Sequence, residues 1–175
     1  MPVYRGNQLF TISSLLFMDQ DLLNFKHLQL PAIHPVTRKV ASQRTQIFDA
    51  FRNKFVALTP EEWVRQHMLN YLNEHLHYPK NLLGVEVSLK LNNLSKRADI
   101  VVYAADLTPW MIVECKAAEV EITQAVFDQA ARYNLTMRVP FLVVTNGIRL
   151  LAAHINIQEE KIEMIQRMPD FIDKI

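Results

Sequence analysis

Residues 85–91 alternate between apolar and polar side chains, which is the period of two expected for a β-strand with one polar face. The asparagines at positions 92 and 93 predict a turn after this strand. Two further apolar segments, residues 98–104 and 110–116, are separated by a short polar stretch and predict a second hairpin. Because residues 110–113 are apolar on both faces, we expect this strand to lie in the middle of a sheet.

Helix signals lie on both sides of these strands. Thr59 is a favourable N-cap, and Pro60 suits the first helical position. Glu62 completes a capping box, in which the glutamate carboxylate accepts a hydrogen bond from the amide of the cap residue. An apolar stripe continues this predicted helix to about residue 75. A second helix is predicted from the N-cap Thr123 to about residue 137.

Apolar segments also occur nearer the two ends of the chain. Residues 45–58 predict a hairpin that turns at residues 49–53. Residues 141–145, 150–155 and 161–165 predict three more strands. The strand, helix, strand order that ends at residue 145 predicts a parallel crossover.

These elements define one domain with an appendage. Residues 1–44 show no sustained period, so we expect an N-terminal extension of unknown role. Residues 45–175 predict an α/β fold in which helices flank a mixed central sheet. A chain of 175 residues, half of them apolar, has the size and composition of a single globular domain.

Composition excludes several classes of protein. The three glycines are too far apart to form a phosphate-binding loop or a dinucleotide fingerprint, so we expect neither an ATP site nor an NAD site. The single cysteine allows no disulfide within the chain, and no apolar segment is long enough to span a bilayer. We therefore expect a cytoplasmic protein with no membrane partner. A formal net charge of +1 means that a nucleic-acid surface would require local clustering of basic residues.

Charged residues at the strand ends carry the candidate chemistry. Glu114 and Lys116 are two positions apart on a strand, so both side chains leave one face while Cys115 points to the other. A hairpin symmetric about residues 106–107 places Asp99 directly opposite Glu114. Opposed carboxylates repel each other unless they share a proton or bind a divalent cation. With Lys116 beside them, these groups suffice for metal-assisted phosphodiester hydrolysis. The alternative is a surface ladder of ion pairs that includes Arg97.

The residues around this site resemble the PD-(D/E)XK nuclease superfamily. Within it, they are similar to the N-terminal nuclease domain of type I restriction enzyme R subunits, over roughly residues 48–156. The resemblance rests on residues 59–65, 97–103, 112–117 and 123–134. It implies a restriction-endonuclease-like α/β sandwich. Ala98 stands where the superfamily has its proline, and a chain with no ATP site cannot carry out ATP-dependent translocation by itself.

The resemblance also assigns roles to individual residues. It implies that Asp99 and Glu114 bind Mg²⁺ or Mn²⁺, with the main-chain carbonyl of Cys115 as a third ligand, and that Lys116 is the catalytic lysine. Gln129 resembles the glutamine of a Gln-x-x-x-Tyr element that orders the site.

Three further assignments remain open between a functional and an ordinary role. Glu62 resembles the first-helix glutamate of the superfamily, but it also fits the capping box. Gln129 and Tyr133, one helical turn apart, form the Gln-x-x-x-Tyr element or are plain polar positions beside the core. Lys96, Arg97 and Arg132 line a groove for nucleic-acid phosphates or form a solvated face.

The function expected from these residues is that of a metal-dependent nuclease domain acting on DNA. One alternative is a non-catalytic module with the nuclease fold that binds DNA or a partner. Another is an unrelated structural α/β protein. The resemblance implies DNA as a partner, and a homodimer or the subunits of a restriction or defence system as further partners.

Overall fold

The computed structural model of the chain describes residues 25, 27–40, 44–91, 94–159, 161–169 and 171. These residues form a three-stranded sheet, a six-stranded sheet and two α-helices. In chain order the elements are β1 (Thr37–Lys39), β2 (Thr45–Asp49), β3 (Lys54–Ala57), α1 (Pro60–Asn70), β4 (Leu83–Leu91), β5 (Leu94–Tyr103), β6 (Pro109–Cys115), α2 (Gln124–Met137), β7 (Phe141–Thr145), β8 (Leu150–Asn156) and β9 (Lys161–Ile165).

The six-stranded sheet has the order β4-β5-β6-β7-β8-β9. Strands β6 and β7 are parallel, and every other neighbouring pair in this sheet is antiparallel. Helix α2 connects the two parallel strands, so the predicted parallel crossover is confirmed. The sheet is therefore mixed, as expected.

The two helices cover opposite faces of this sheet. Alternate residues of β6 belong to different core clusters, because Val113 packs with α1 and Ile112 packs with α2. The α1 side is built on Val64, Met68 and Leu69 of the helix, and the α2 side on Phe127, Ala130 and Ala131. This arrangement confirms the predicted α/β sandwich with a mixed central sheet.

Helix α1 begins as predicted, but one part of its cap differs. The Thr59 hydroxyl accepts a hydrogen bond from the Glu62 amide at 3.1 Å, and Pro60 is the first helical residue. The capping-box role of the Glu62 carboxylate is wrong, since the Thr59 amide donates to the carbonyl of Ala57 at 3.1 Å. The carboxylate is bound instead by two arginine side chains. A π-helical turn, Tyr71–His75, continues α1 to the predicted end.

The smaller sheet contains the predicted hairpin and one strand that the sequence did not indicate. Strands β2 and β3 pair antiparallel, with Phe48 opposite Phe55. Thr37–Lys39 adds β1 to this hairpin, and three residues are too few to show a period. The predicted turn at 92–93 and residues 1–24 lie outside the described residues, and the division of the chain at residue 44 stays a prediction. Within the described ranges no helix is long and apolar enough to cross a membrane.

Candidate active site at the ends of strands β5 and β6

Asp99 lies where the main-chain pairing of β5 with β6 ends. Ile100 is opposite Val113 and Val101 is opposite Ile112, which is the register predicted for this hairpin. One further step in that register places Asp99 opposite Glu114. The Oδ2 atom of Asp99 accepts a hydrogen bond from the amide of Cys115 at 2.8 Å. The carboxylate itself therefore joins β5 to β6 beyond the last paired residues.

A third carboxylate, that of Glu86, lies on the other side of Asp99. Val85 is opposite Ile100 and Val87 is opposite Ala98, so the register of β4 with β5 places Glu86 across from Asp99. Glu86 has a φ of 54°, in the left-handed region that residues other than glycine seldom adopt. Three neighbouring strands thus carry acidic residues at the same level of the sheet.

Strands β4 and β5 change faces at this level. Residues two apart on a regular strand share one face. Val85 and Ile100 nevertheless pack on the α1 side of the sheet, whereas Val87 and Ala98 pack on the α2 side. The left-handed backbone at Glu86 accounts for the switch in β4, because it rotates that strand between the residues on either side of it.

Arg65 neutralises Asp99. Its Nη2 atom lies 2.7 Å from Oδ1 of Asp99, and its Nη1 atom binds the carboxylate of Glu62 and lies 3.8 Å from Oε1 of Glu86. Arg65 is 8% exposed. Burial by itself would lower the pKa of the Arg65 guanidinium, but Asp99 and Glu62 outweigh burial and the pKa is raised. This side chain is therefore a fixed positive charge inside the site.

Arg52 plays a similar part at the turn between β2 and β3. Its Nη2 atom lies 2.5 Å from Oε1 of Glu62, while its other nitrogens bind Asp49 and Glu86. Asp49 is fully buried and also accepts the amide of Phe51 at 2.7 Å. Burial would lower the pKa of Arg52, and hydrogen bonds with Asp49 and Glu62 raise it above its usual value. The six residues of this arginine network are Asp49, Arg52, Glu62, Arg65, Glu86 and Asp99.

The arginine network is the part of the site that the sequence analysis missed. The sequence predicted that a shared proton or a metal ion compensates the negative charges of Asp99 and Glu114. In the structure, the guanidinium group of Arg65 compensates the charge of Asp99. Two signals were present in the sequence. Arg65 is three residues after Glu62, which is an ion-pair spacing on a helix. A turn at residues 92–93 also places Glu86 opposite Asp99 by the symmetry that predicted the pairing of Asp99 with Glu114.

Glu114 and Cys115 are the last two residues of β6, and Lys116 follows them directly. Glu114 is 8% exposed and Cys115 is 2% exposed. Cys115 packs on the α1 side, so strand alternation directs Glu114 and Lys116 to the α2 side. Lys116 is half-buried, and its amide donates to the carbonyl of Thr145 at 2.8 Å. Its ammonium forms no ion pair with any residue of the described part of the chain.

The other predicted site residues lie on β5 and α2. Gln129 is exposed on α2, and no hydrogen bond joins it to the site residues within the described ranges. Arg97 is exposed and pairs with Glu86 at 2.8 Å. Arg132 is exposed on α2. Lys96 lies in β5 and Tyr133 in α2, but their side chains lie outside the described part of the structure.

The charged groups of the site change the pKa of the buried Cys115 thiol. Burial raises the pKa of Cys115 well above its ordinary value, Asp99, Glu114 and Glu62 raise it further, and Arg65 opposes them. Because the thiolate is the reactive form, we expect the folded protein at pH 8 to resist alkylation. Mass spectrometry after iodoacetamide treatment should find the thiol unmodified until guanidinium unfolds the chain. Stoichiometric labelling of the folded protein would contradict this description.

The donor chemistry of the site fits a hard divalent cation. Among the described residues, no group of three or more His, Cys, Asp or Glu side chains is arranged to hold a metal ion. The predicted set is smaller, with two carboxylates and one main-chain carbonyl. Mg²⁺ is commonly held by one or two carboxylates and retains several waters. Each Asp99 oxygen accepts one hydrogen bond and has a second lone pair for another partner.

Comparisons with known proteins find a family model and a solved structure that are similar to this chain. Residues 60–169 match the family model described as type I restriction enzyme R protein N terminus (HSDR_N). A solved fragment described as an HsdR subunit of a type I restriction enzyme from Vibrio vulnificus YJ016 is similar, with 20% sequence identity and a TM-score of 0.48. The similarity covers 64% of this chain and 24% of that chain, so this chain spans about a quarter of its length. None of the curated proteins matches.

Proposed function

Because the chain belongs to the family of type I restriction enzyme R protein N-terminal domains, we propose that it is a metal-dependent nuclease domain of the PD-(D/E)XK type that hydrolyses DNA. The observation that supports this most directly is the bond from the Cys115 amide to Asp99 Oδ2 at 2.8 Å. It fixes one carboxylate beside the strand end that carries Glu114 and Lys116. Membership of the family makes an unrelated structural protein, the third expectation, wrong.

In this proposal each side chain has a distinct part. Asp99, Glu114 and the carbonyl of Cys115 would hold Mg²⁺ or Mn²⁺, and the bound ion would supply Lewis-acid chemistry for phosphodiester hydrolysis. Lys116 lies on the same face as Glu114 and has no competing ion pair in the described ranges, so it is available to orient the attacking water and to stabilise developing negative charge. Arg65 maintains the position of Asp99 through their 2.7 Å contact.

The residues around the centre complete the proposed site. Glu62 takes part by positioning Arg65 and Arg52. We assign to Gln129 a role from α2, the helix that covers the face to which Glu114 and Lys116 point. We assign contacts with DNA phosphates to Lys96, Arg97 and Arg132, and a further contact with the nucleic acid to Tyr133. Arg97 would exchange its exposed pair with Glu86 for a phosphate, since a surface ion pair is weak.

One observation favours the second candidate function, a non-catalytic module that binds DNA or a partner. The arginine network neutralises Asp99 and Glu62 without a metal ion, so the fold does not require one. Under either function, the partners that we propose are DNA, other subunits of a restriction or defence system, and a second copy of this chain.

We expect wild-type protein to nick supercoiled plasmid with Mg²⁺ or Mn²⁺ and to lose that activity with EDTA. The physical reason is that carboxylates alone do not stabilise negative charge that develops on a phosphate. Agarose gels that follow conversion of supercoiled to open-circular and linear DNA make the measurement. Ca²⁺ serves as a control for binding without turnover. Binding of DNA without nicking under any of these ions would favour the non-catalytic module.

A further inference from the structure

Arg65 is a buried cation in direct contact with a proposed metal ligand. Its Nη2 atom lies 2.7 Å from Oδ1 of Asp99, and its Nη1 atom binds the carboxylate of Glu62. One oxygen of Asp99 therefore already has a positively charged partner. A divalent cation on the same carboxylate would lie within a few ångströms of this guanidinium, so the two positive charges would repel each other.

The hydrogen bonding of Arg65 is incomplete in its present position. The Nε atom of this side chain is buried and has no acceptor within the described part of the chain. A buried donor without an acceptor costs free energy, so native structures seldom retain one. The guanidinium is thus held through its two Nη atoms alone.

Glu86 offers Arg65 a second carboxylate within reach. Nη1 of Arg65 lies 3.8 Å from Oε1 of Glu86, which is the range of an ion pair but is too long for a hydrogen bond. The close contacts that Glu86 makes with Arg52 and Arg97 both use its other oxygen, Oε2. A small displacement of the guanidinium of Arg65 would therefore bring it into a hydrogen bond with Oε1 of Glu86.

Glu62 can retain Arg65 during such a displacement. The two residues are three positions apart on α1, so their ion pair does not depend on the position of the sheet. Glu62 is 5% exposed, and its Oε1 atom is also bound by Arg52 at 2.5 Å and by Nε2 of Gln66 at 2.8 Å. The carboxylate of Glu62 is thus a fixed anchor, and Nη2 of Arg65 can leave Asp99 while Nη1 stays bound.

We propose that Arg65 is an exchangeable counter-cation for Asp99. In the absence of metal, its guanidinium compensates the charge of Asp99 and maintains the position of that carboxylate. When a divalent cation binds, Arg65 moves from Oδ1 of Asp99 to Oε1 of Glu86 and stays bound to Glu62. The inference rests on the proposed function for its metal site, but it does not depend on cleavage. Its consequence is that Arg65 lowers the affinity of the wild-type protein for metal.

Calorimetric titration of the full chain with Mn²⁺, without DNA, tests this inference. Arg65→Gln removes the charge but keeps an amide donor, and Arg97→Gln is the matched control, because Arg97 is exposed and contacts Glu86. We expect Arg65→Gln to bind Mn²⁺ about tenfold more tightly than the wild type, since repulsion between the two cations is worth at least about that factor even in water. Arg97→Gln should stay within about twofold of the wild type. Adding Asp99→Asn to Arg65→Gln should abolish the gain.

A crystal structure of the wild type soaked in Mn²⁺ tests the exchange directly, even if Arg65→Gln fails to fold. We expect anomalous density for the ion on Asp99, and Nη1 of Arg65 within hydrogen-bonding distance of Oε1 of Glu86. An ion on Asp99 with the 2.7 Å contact to Arg65 still present would overturn the proposal. The absence of any ion on Asp99 would overturn it together with the proposed metal site.

The other outcomes separate the proposal from the nuclease assignment. Tighter binding of Mn²⁺ by Arg65→Gln, with Arg97→Gln unchanged, supports the exchange even if the wild type never cleaves DNA. Equal or weaker binding by Arg65→Gln overturns it, even if the wild type is an active nuclease. An equal gain in Arg97→Gln would also overturn it, because net charge rather than the contact with Asp99 would then determine the affinity.

Discussion

The Lys116→Ala protein should hydrolyse DNA about 10²- to 10⁴-fold more slowly than the wild type, with a nearly unchanged melting temperature. Lys116 is half-buried and forms no ion pair in the described ranges, so its removal leaves no buried charge without a partner. Its expected contribution is to the reaction alone, where a positive charge beside Glu114 orients water and stabilises the phosphate. Initial rates of plasmid nicking in Mg²⁺, with thermal unfolding of the same samples, make the measurement.

Two comparison variants sharpen this experiment. Asp99→Asn should lose metal-dependent cleavage as well, but it should also lower the melting temperature, because it removes the charge that faces Arg65 at 2.7 Å. Lys161→Ala, at an exposed position on β9, is the matched lysine control and should retain full activity. If Lys116→Ala cleaved DNA at the wild-type rate, the assigned catalytic lysine would be wrong, whatever the result with Asp99→Asn.

The second large effect is on stability. Replacing Arg65 with methionine should lower the free energy of unfolding by about 3–5 kcal/mol, the cost of removing one partner from a buried charge network. The change removes the guanidinium group that binds the carboxylates of both Glu62 and Asp99. Burial is decisive here, since an exposed pair contributes about 0–1 kcal/mol. Urea unfolding followed by circular dichroism measures the difference.

A charge-compensated variant provides the control for Arg65. Adding Glu62→Gln and Asp99→Asn to Arg65→Met removes the leftover negative charges and should recover a large part of the lost stability. Arg167→Met, at an exposed position near the end of the chain, should change stability by less than about 0.5 kcal/mol. An Arg65→Met protein as stable as Arg167→Met would mean that the network makes no net contribution to folding.

Strands β2 to β9 and their order along the chain followed from local patterns, whereas β1 and the arginine network did not. Periodicity located β4 to β9, and the symmetry of one hairpin placed Asp99 opposite Glu114. These inferences use neighbours along the chain, where spacing alone determines which side chains meet. Arg52 meets Glu86 across 34 residues of sequence, and Arg65 meets Asp99 across 34 as well. Such contacts depend on how a helix and a turn pack against the sheet, and no spacing rule contains that information.

Glu62 illustrates the same limit at a single residue. The local pattern of Thr59 followed by Glu62 indicates a capping box, and the hydroxyl half of that motif is present. The hydrogen bond from the Thr59 amide to the Glu62 carboxylate is absent, because the positively charged guanidinium groups of Arg52 and Arg65 bind that carboxylate instead. A hydrogen bond between two charged groups is stronger than one to a neutral amide. Glu86 had a local signal as a polar strand position, but nothing in the pattern indicated its left-handed backbone.

The change of faces at Glu86 and Asp99 divides one pair of strands between two hydrophobic cores. On one side of this level β4 and β5 share a core with α1, and on the other side they share a core with α2. Proteins open in such contiguous units, each with its own free energy of local unfolding. Release of α2 would remove the packing of Val87 and Ala98 without disturbing that of Val85 and Ile100. The carboxylates of Glu86 and Asp99 thus lie on the border between the two cores, so local opening of either side would reach them.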